Sequence, residues 1–281
     1  MSSHSIHPAF DHVRLATLSD LPRIATVAAA GFFHSPTFQF QRPYYAQFVE
    51  DTLSSYWKEY HQEIQDAAVV VLVVEDLWDD SEHDSAYEAL RTSPSYCARN
   101  GSQGRVVVGV CSIDLKPGSW RIGRFQPQIN EELLQLYSAP NGLIRDMSPV
   151  AIKIYGEATA PAKAKYLAGN MRLSTLAVHP AYWQRGHATR LVSWCTSLAD
   201  MDDVPIGVSA APMGAAVAAK AGFEERETVR IRRSEVPAVP VPPNDAMVGD
   251  VELWIAIRPP SHSPSDSGTV SSESPVGDLK P

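Results

Sequence analysis

The segment Met171-Arg-Leu-Ser-Thr-Leu-Ala-Val-His-Pro180 is the most informative part of this 281-residue chain for its fold. Its apolar side chains stand first at odd positions, Met171 and Leu173, and then at even positions, Leu176 and Val178. Because side chains alternate between the two faces of a strand, one extra residue between Leu173 and Leu176 would produce this switch. The pattern predicts a β-bulge, which leaves backbone groups free for a ligand. A regular strand that is buried on both faces explains the pattern equally well.

A loop and an amphipathic helix follow this strand. After Pro180 come Ala181-Tyr-Trp-Gln-Arg-Gly-His187 and then apolar residues at helical spacing over 188–199. Free N–H groups and the positive end of the helix dipole point into such a loop. Gly186 lets the backbone approach a bulky anion and Arg185 adds positive charge, so the loop can hold a phosphate. A single glycine before a helix also serves purely structural purposes, and that interpretation stays open.

The segments on either side of this unit alternate between strands and helices, which predicts one mixed α/β sheet. We expect strands at 12–16, 68–75, 105–115, 150–154, 205–210 and 251–257, and helices at 17–31, 43–64, 131–137, 188–199 and, after a turn at 211–214, at 215–221. The second of these helices carries an aromatic stripe, which is typical of a core face.

The predicted folded domain covers residues 11–258 and contains insertions near 76–104 and 118–170. The acidic run within 75–84 is expected to be a solvated face. Residues 1–10 are expected to be a flexible N-terminus. Residues 259–281, rich in Pro, Ser, Gly and Asp, are expected to be a disordered tail.

The composition excludes several classes of protein. The formal net charge of −8 gives no general attraction to nucleic acid or to anionic membranes. Cys97, Cys111 and Cys195 have neither the number nor the spacing of a disulfide framework or a zinc site, and no metal is expected. The longest apolar run, 67–74, is too short to cross a bilayer. No secretory signal is recognisable, so we expect a cytoplasmic protein without a nucleic-acid or membrane partner.

As a set, these spacings resemble the GNAT acetyltransferase superfamily. The resemblance rests on Leu176-Ala-Val-His-Pro180, on Gln184-Arg-Gly-His-Ala188, on Met213-Gly214 and Ala221-Gly-Phe223, and on the opening Val13-Arg-Leu-Ala-Thr17. It implies a mixed, mostly antiparallel sheet flanked by helices, with a V-shaped splay between its central strands. It also implies acetyl-CoA as the co-substrate.

The resemblance assigns two groups of cofactor-binding residues. The backbone of the strand would bind the pantetheine arm, and the loop with the first helical turn would hold the pyrophosphate. The first group is Leu176, Ala177 and Val178; the second is Gln184, Arg185, Gly186, His187, Ala188 and Thr189. The inferred bulge would open the splay that admits this cofactor.

The catalytic groups depart from the family pattern. Ala218 stands where many relatives carry a tyrosine as general acid, and Trp183 stands where the loop usually begins with Gln or Arg. Where relatives place a glutamate on the bulged strand, this chain has Ser174 and Thr175. The backbone N–H of Val178 is expected to polarise the thioester carbonyl. Replacement acids or bases could come from Tyr155, Glu157, Tyr182 or His187, and Tyr182 is predicted to be catalytic with Val178, Ser174 and Thr175.

The resulting functional hypothesis is acetyl transfer from acetyl-CoA directly to a small-molecule amine. The segment 118–170 is expected to cover the acceptor side, since loops on a rigid scaffold commonly carry specificity. A protein or peptide acetyltransferase is one alternative. A non-catalytic acyl-CoA-binding regulatory module is another, and it is suggested by Ala218, which stands where many relatives carry the general acid. The oligomeric state is not predicted.

Overall fold

A computed structural model describes residues 7–98, 104–127, 131–137, 143–236, 239–240 and 249–261, and its centre is a seven-stranded sheet. The strands are β1 (Val13–Leu15), β2 (Val69–Leu77), β3 (Arg105–Asp114), β4 (Met171–Val178), β5 (Ile206–Ala210), β6 (Glu224–Ile231) and β7 (Val251–Arg258). Their order is β1-β2-β3-β4-β5-β7-β6. The β4–β5 pair is parallel and the other pairs are antiparallel, which confirms the predicted sheet type.

Helices cover both faces of the sheet. They are α1 (Leu21–Phe32), α2 (Pro36–Gln41), α3 (Val49–Gln65), α4 (Glu88–Arg91), α5 (Glu131–Leu136), α6 (Pro149–Tyr166), α7 (His187–Met201) and α8 (Pro212–Lys220). One core cluster joins α7 to the sheet, and another joins α1 and α3 to the opposite face. Strand β3 shows the division, because Val106 and Val108 lie in the first cluster whereas Val107 lies in the second.

Two predicted elements were wrong. The expected helix 43–64 begins only at Val49, because residues 43–47 form turns before α3. The expected strand 150–154 is the first part of α6, which begins with Ser148 as N-cap and Pro149 at its first position. The alternation of Val150, Ile152 and Ile154 suggested a strand, but Val150 and Ile152 are exposed on the helix surface.

Strand β6 was not predicted, because its charged sequence lacks an apolar alternation. It lies at the edge of the sheet, and residues 224–227 are all exposed. Charged side chains on an edge strand discourage pairing with another chain. The strand is therefore recognised only in the structure, from its pairing with β7, because its sequence carries no hydrophobic signal.

The ends of the chain are only partly described. Of the predicted flexible N-terminus, residues 1–6 lie outside the described residues, while the Phe10 ring stacks on Trp194 at 5.6 Å. Of the predicted disordered tail, residues 262–281 lie outside them, and Ser261 N–H donates to Asp200 Oδ1 at 2.8 Å. In the part of the chain that the structure describes, no helix is both long and apolar enough to cross a membrane.

Candidate active site

The predicted bulge lies in β4 at Ser174. Opposite it, Ser112 pairs with Thr175 and the next residue, Ile113, pairs with Leu173, so Ser174 is the extra residue. Met171, Leu173 and Val178 contribute to the core on the α7 side, as the switch in the sequence pattern required. The alternative of a regular strand is excluded.

Strands β4 and β5 separate at the bulge. They pair only at three positions, which end with Leu173 opposite Val208. Beyond this point a cavity of about 550 Å³ opens between the two strands. It is lined by both strands, by the loop before α7, and by residues of α1 and α8, which include Gly31 and Ala218. This gap is the predicted V-shaped splay.

The backbone of β4 presents its free hydrogen-bonding groups to this cavity. His179 N–H donates to Val108 at 2.9 Å, which marks a bonded pair of the β3–β4 ladder. By alternation Ala177 also bonds to β3, while the N–H and C=O groups of Leu176 and Val178 point away from it. The Val178 carbonyl accepts a hydrogen bond from Trp183 Nε1 at 2.7 Å. The backbone N–H and C=O groups of Leu176 and the N–H of Val178 therefore remain free and face the cavity.

The loop before α7 presents backbone N–H groups at the other end of the cavity. Gly186 is the N-cap with φ 83°, and Gln184 also has a positive φ, 61°. The first helical hydrogen bond runs from Arg190 N–H to the Gly186 carbonyl. The N–H groups of the three preceding residues, 187–189, therefore have no partner within the helix. Such a group of N–H donors at a helix start fits a diphosphate.

Acidic side chains from the end of β2 already contact the side chains of this loop. Arg185 forms an ion pair with Asp79, and His187 Nε2 lies 2.9 Å from Asp76 Oδ2. Hydrogen bonds from Ser81 and Arg185 lower the pKa of Asp79 to about 2. Burial lowers the pKa of His187. The acidic run 75–84 is thus not merely a solvated face, because its residues Asp76 and Asp79 contact side chains of the loop.

Tyr182, a predicted catalytic residue, lies under this loop with its side chain fully buried. Its hydroxyl donates to Glu82 Oε2 at 2.8 Å and accepts from the Asp79 N–H at 3.1 Å. The Glu82 carboxylate also binds Arg23 through two hydrogen bonds of 2.6 Å, and both of these side chains are fully buried. The hydroxyl of Tyr182 thus belongs to a buried network that joins the acidic run to the core.

Ser174 and Thr175, the other side chains predicted to be catalytic, have different surroundings. Ser174 Oγ donates to Asp114 Oδ2 at 2.8 Å. Thr175 lines the cavity, and its Oγ1 lies 2.8 Å from Ser112 Oγ. The structure therefore brings Thr175, and not Ser174, to the cavity wall.

The remaining candidates are scattered. Tyr155 and Glu157 lie on α6 outside the set of residues that line the cavity. Burial raises the pKa of Tyr155 to about 12, and Glu157 is exposed beside Lys153. Among the described residues no group of three His, Cys, Asp or Glu side chains is arranged to hold a metal ion.

Three polar residues near Thr175 were missed by sequence reasoning. Tyr60 donates to Thr175 Oγ1 at 3.1 Å, and Ser112 donates to Glu63 Oε1 at 3.3 Å. A signal was available in α3, because Glu63 follows Tyr60 by three residues and so borders the aromatic stripe. For Ser112, which is fully buried in β3, only the register of the sheet supplies the contact.

Comparison with known proteins supports a transferase. No family model matches the chain. A protein named acetyltransferase from Stachybotrys chartarum is 29% identical over 219 residues, which are 78% of this chain and 82% of that protein.

Solved structures with similar architecture share little sequence. A protein from Corynebacterium glutamicum described as histone acetyltransferase HPA2 and related acetyltransferase has 17% identity and a TM-score of 0.46, covering 90% of this chain and 98% of its own. PaiA N-acetyltransferase from Thermoplasma acidophilum, solved with coenzyme A, has 12% identity and a TM-score of 0.36, covering 88% and 97%.

The sequence motifs, the bulged and splayed sheet, and the fungal relative agree with one another. The cavity fits an acyl carrier, since one wall offers free backbone groups and the other offers N–H groups at a helix start. On these grounds the chain is an acyltransferase that uses acetyl-CoA as its acetyl donor, and its bulged and splayed sheet is the one that the resemblance predicts.

Proposed function

We propose that the protein is an N-acetyltransferase that moves an acetyl group from acetyl-CoA directly to a small-molecule amine. The observation that carries the proposal is the gap between β4 and β5, which ends beside the loop of N–H groups before α7. A thioester carrier with a peptide-like arm and a diphosphate matches both ends of this gap.

The cofactor roles follow from which groups face the cavity. Leu176 would bind the pantetheine arm through its backbone, the free N–H of Val178 would meet the thioester end of the cofactor, and Ala177 contributes to the wall. The backbone of residues 184–189 would hold the pyrophosphate. Arg185 and His187 act in the loop through the acidic side chains that they already contact.

The Val178 N–H is the proposed donor to the thioester carbonyl. A backbone donor that is fixed in a strand stabilises developing negative charge on oxygen and needs no titratable side chain. Its position depends on α1, because Gly31 packs directly on the Val178 backbone. Holding the amine in line with this carbonyl supplies much of the remaining acceleration.

A small acceptor is favoured by the size of the cavity. Its volume of about 550 Å³ must hold the pantetheine arm together with the acceptor. Phe32, Ser35 and Pro36, from α1 and the start of α2, close one side of it. A protein or peptide acceptor remains the alternative. Ala218, which lines the cavity without an acidic group, favours a non-catalytic acyl-CoA-binding module as the second candidate.

The test combines binding with turnover. Calorimetry should show that acetyl-CoA binds the wild-type protein, and thiol release should occur with members of an amine panel. Turnover of peptides alone would replace the small acceptor with a protein, and binding without any turnover would favour the regulatory module. Absence of binding would overturn the proposal.

A matched pair of variants tests the loop itself. Gly186→Glu places a carboxylate where the diphosphate is proposed to bind, so affinity for acetyl-CoA should fall at least about a hundredfold. Gly123→Glu is the control, because Gly123 has a similar positive φ, 81°, equally open surroundings and no place in the cavity wall. Equal affinities in the two variants would contradict the assignment of the loop.

A further inference from the structure

Three side chains form a connected polar path from the cavity wall to α3. Thr175 lines the cavity, and its Oγ1 lies 2.8 Å from Ser112 Oγ. The Ser112 hydroxyl in turn donates to Glu63 Oε1 at 3.3 Å. Ser112 is fully buried, so the path runs through the protein and not through bulk water.

The hydroxyl groups along this path are oriented in one direction. Since Ser112 gives its proton to Glu63, its oxygen accepts the proton of Thr175. The Thr175 oxygen accepts from Tyr60, whose hydroxyl is 3.1 Å away, and keeps one lone pair for a further donor. This lone pair can accept a hydrogen bond from a donor group bound in the cavity.

Glu63 has the properties of a proton acceptor at the end of the path. Its second oxygen, Oε2, is buried and has no hydrogen-bond partner among the described residues. Burial and the negative charge of Glu59 raise the pKa of Glu63 to about 8. Asp114 acts in the same direction, whereas Ser112 and Arg172 act against it. A carboxyl with a pKa near neutrality is suited to general base catalysis.

Resting on the proposed function, we propose that Glu63 takes the proton of the acceptor ammonium through Thr175 and Ser112. The ammonium gives one proton to Thr175 Oγ1, Thr175 gives its own to Ser112 Oγ, and Ser112 gives its own to the Glu63 carboxylate. The neutral amine then forms the C–N bond as the C–S bond breaks. The second amine proton passes to the thiolate, and Glu63 releases its proton to water.

In this scheme Thr175 is the group that meets the acceptor, and Ser112 and Glu63 are positioning and proton-accepting residues behind it. The path supplies the base that the strand itself lacks, since Ser174 and Thr175 are poor bases at neutral pH. Ser174 takes no part, because its hydroxyl is bonded to Asp114.

The experiment compares variants in the intact protein with an amine that the wild type acetylates. Glu63→Gln, Ser112→Ala and Thr175→Val should each lower kcat at least about tenfold and leave affinity for acetyl-CoA within about twofold. Thr175→Ser retains the hydroxyl and should restore the rate. The kcat of the wild type should rise with pH through about 8, and Glu63→Gln should lose that inflection. Glu88→Gln, an exposed glutamate on α4, is the matched control.

The outcomes separate the two hypotheses. Wild-type rates and an unchanged pH profile in Glu63→Gln, while amines are still acetylated, overturn the path alone. An equal loss in Thr175→Ser and Thr175→Val also overturns it, because a structural defect would then explain both. If the wild type acetylates no amine although it binds acetyl-CoA, the proposed function is wrong, and the proton path that rests on it is wrong as well.

Discussion

Gly31 of α1 packs so closely on Val178 of β4 that a Cβ atom added to Gly31 would lie 2.8 Å from the Val178 carbonyl oxygen and 3.2 Å from its nitrogen. The contact is between helix and strand backbones, so neither side can yield by rotating a side chain. The position of the proposed oxyanion donor is thereby fixed by a residue in a different element.

Gly31→Ala should therefore impair turnover. The added methyl group displaces the Val178 backbone by a few tenths of an ångström, and kcat should fall about tenfold, equivalent to about 1.4 kcal/mol of transition-state stabilisation. Steady-state kinetics with a saturating amine measures this. Gly156→Ala, in α6 with open space around it, is the control and should keep its rate. A full rate in Gly31→Ala would contradict the role of the contact.

Asp79→Asn should tighten cofactor binding. Asp79 holds Arg185 by an ion pair at the rim of the proposed diphosphate site, and its charge opposes that of the ligand. Removing the charge weakens the hold on Arg185, which keeps Asp76 Oδ2 at 3.7 Å, so the Kd for coenzyme A should fall about threefold at low salt and less at high salt. Asp84→Asn, an exposed site of equal charge change, should leave Kd unchanged in the same titrations. Weaker binding by Asp79→Asn would show that the pair orders the loop instead.

His179 should make stability depend on pH. Burial lowers the pKa of His179 to about 4, so the folded protein keeps the ring neutral while the unfolded chain takes up a proton below about 6.5. Its contribution is thus lost as pH falls from about 6.5 to about 4, by up to about 3 kcal/mol. The difference in free energy of unfolding between the wild type and His179→Asn should shrink over that interval. A difference that is constant with pH would refute this.

Glu82→Gln should destabilise the fold severely. The variant leaves the fully buried guanidinium of Arg23 without its counter-charge, which typically costs about 3–5 kcal/mol. Denaturant unfolding measures the loss. Glu252→Gln, which removes an exposed ion pair with Arg230, should change the free energy of unfolding by less than about 1 kcal/mol. Similar values for the two variants would mean that the buried pair contributes little.

The sequence was most informative where a local pattern controls the structure. The switch from Leu173 to Leu176 located the bulge, and Gly186 before an apolar stripe located the start of α7. Both features depend on neighbours within a few residues. The same kind of reasoning failed at Val150 and Ile152, because their alternation is produced by a helix that exposes both side chains.

The parts of the site that were missed depend on distant contacts. Ser112 meets Thr175 only because β3 and β4 pair in that register, and 49 residues separate Ser112 from Glu63. Glu82 was interpreted as part of a solvated acidic run. In the structure it is buried and pairs with Arg23, which lies 59 residues away in the sequence. Such long-range pairings leave no periodic signal in the chain.

The short contact between β4 and β5 also has a consequence for the protein as a whole. Three residue pairs join a four-stranded half-sheet, β1–β4, to a three-stranded half-sheet, β5-β7-β6. Acetyl-CoA bound in the proposed site would bridge the two halves where interstrand bonding stops. We therefore expect the protein with bound acetyl-CoA to resist unfolding better than the free protein.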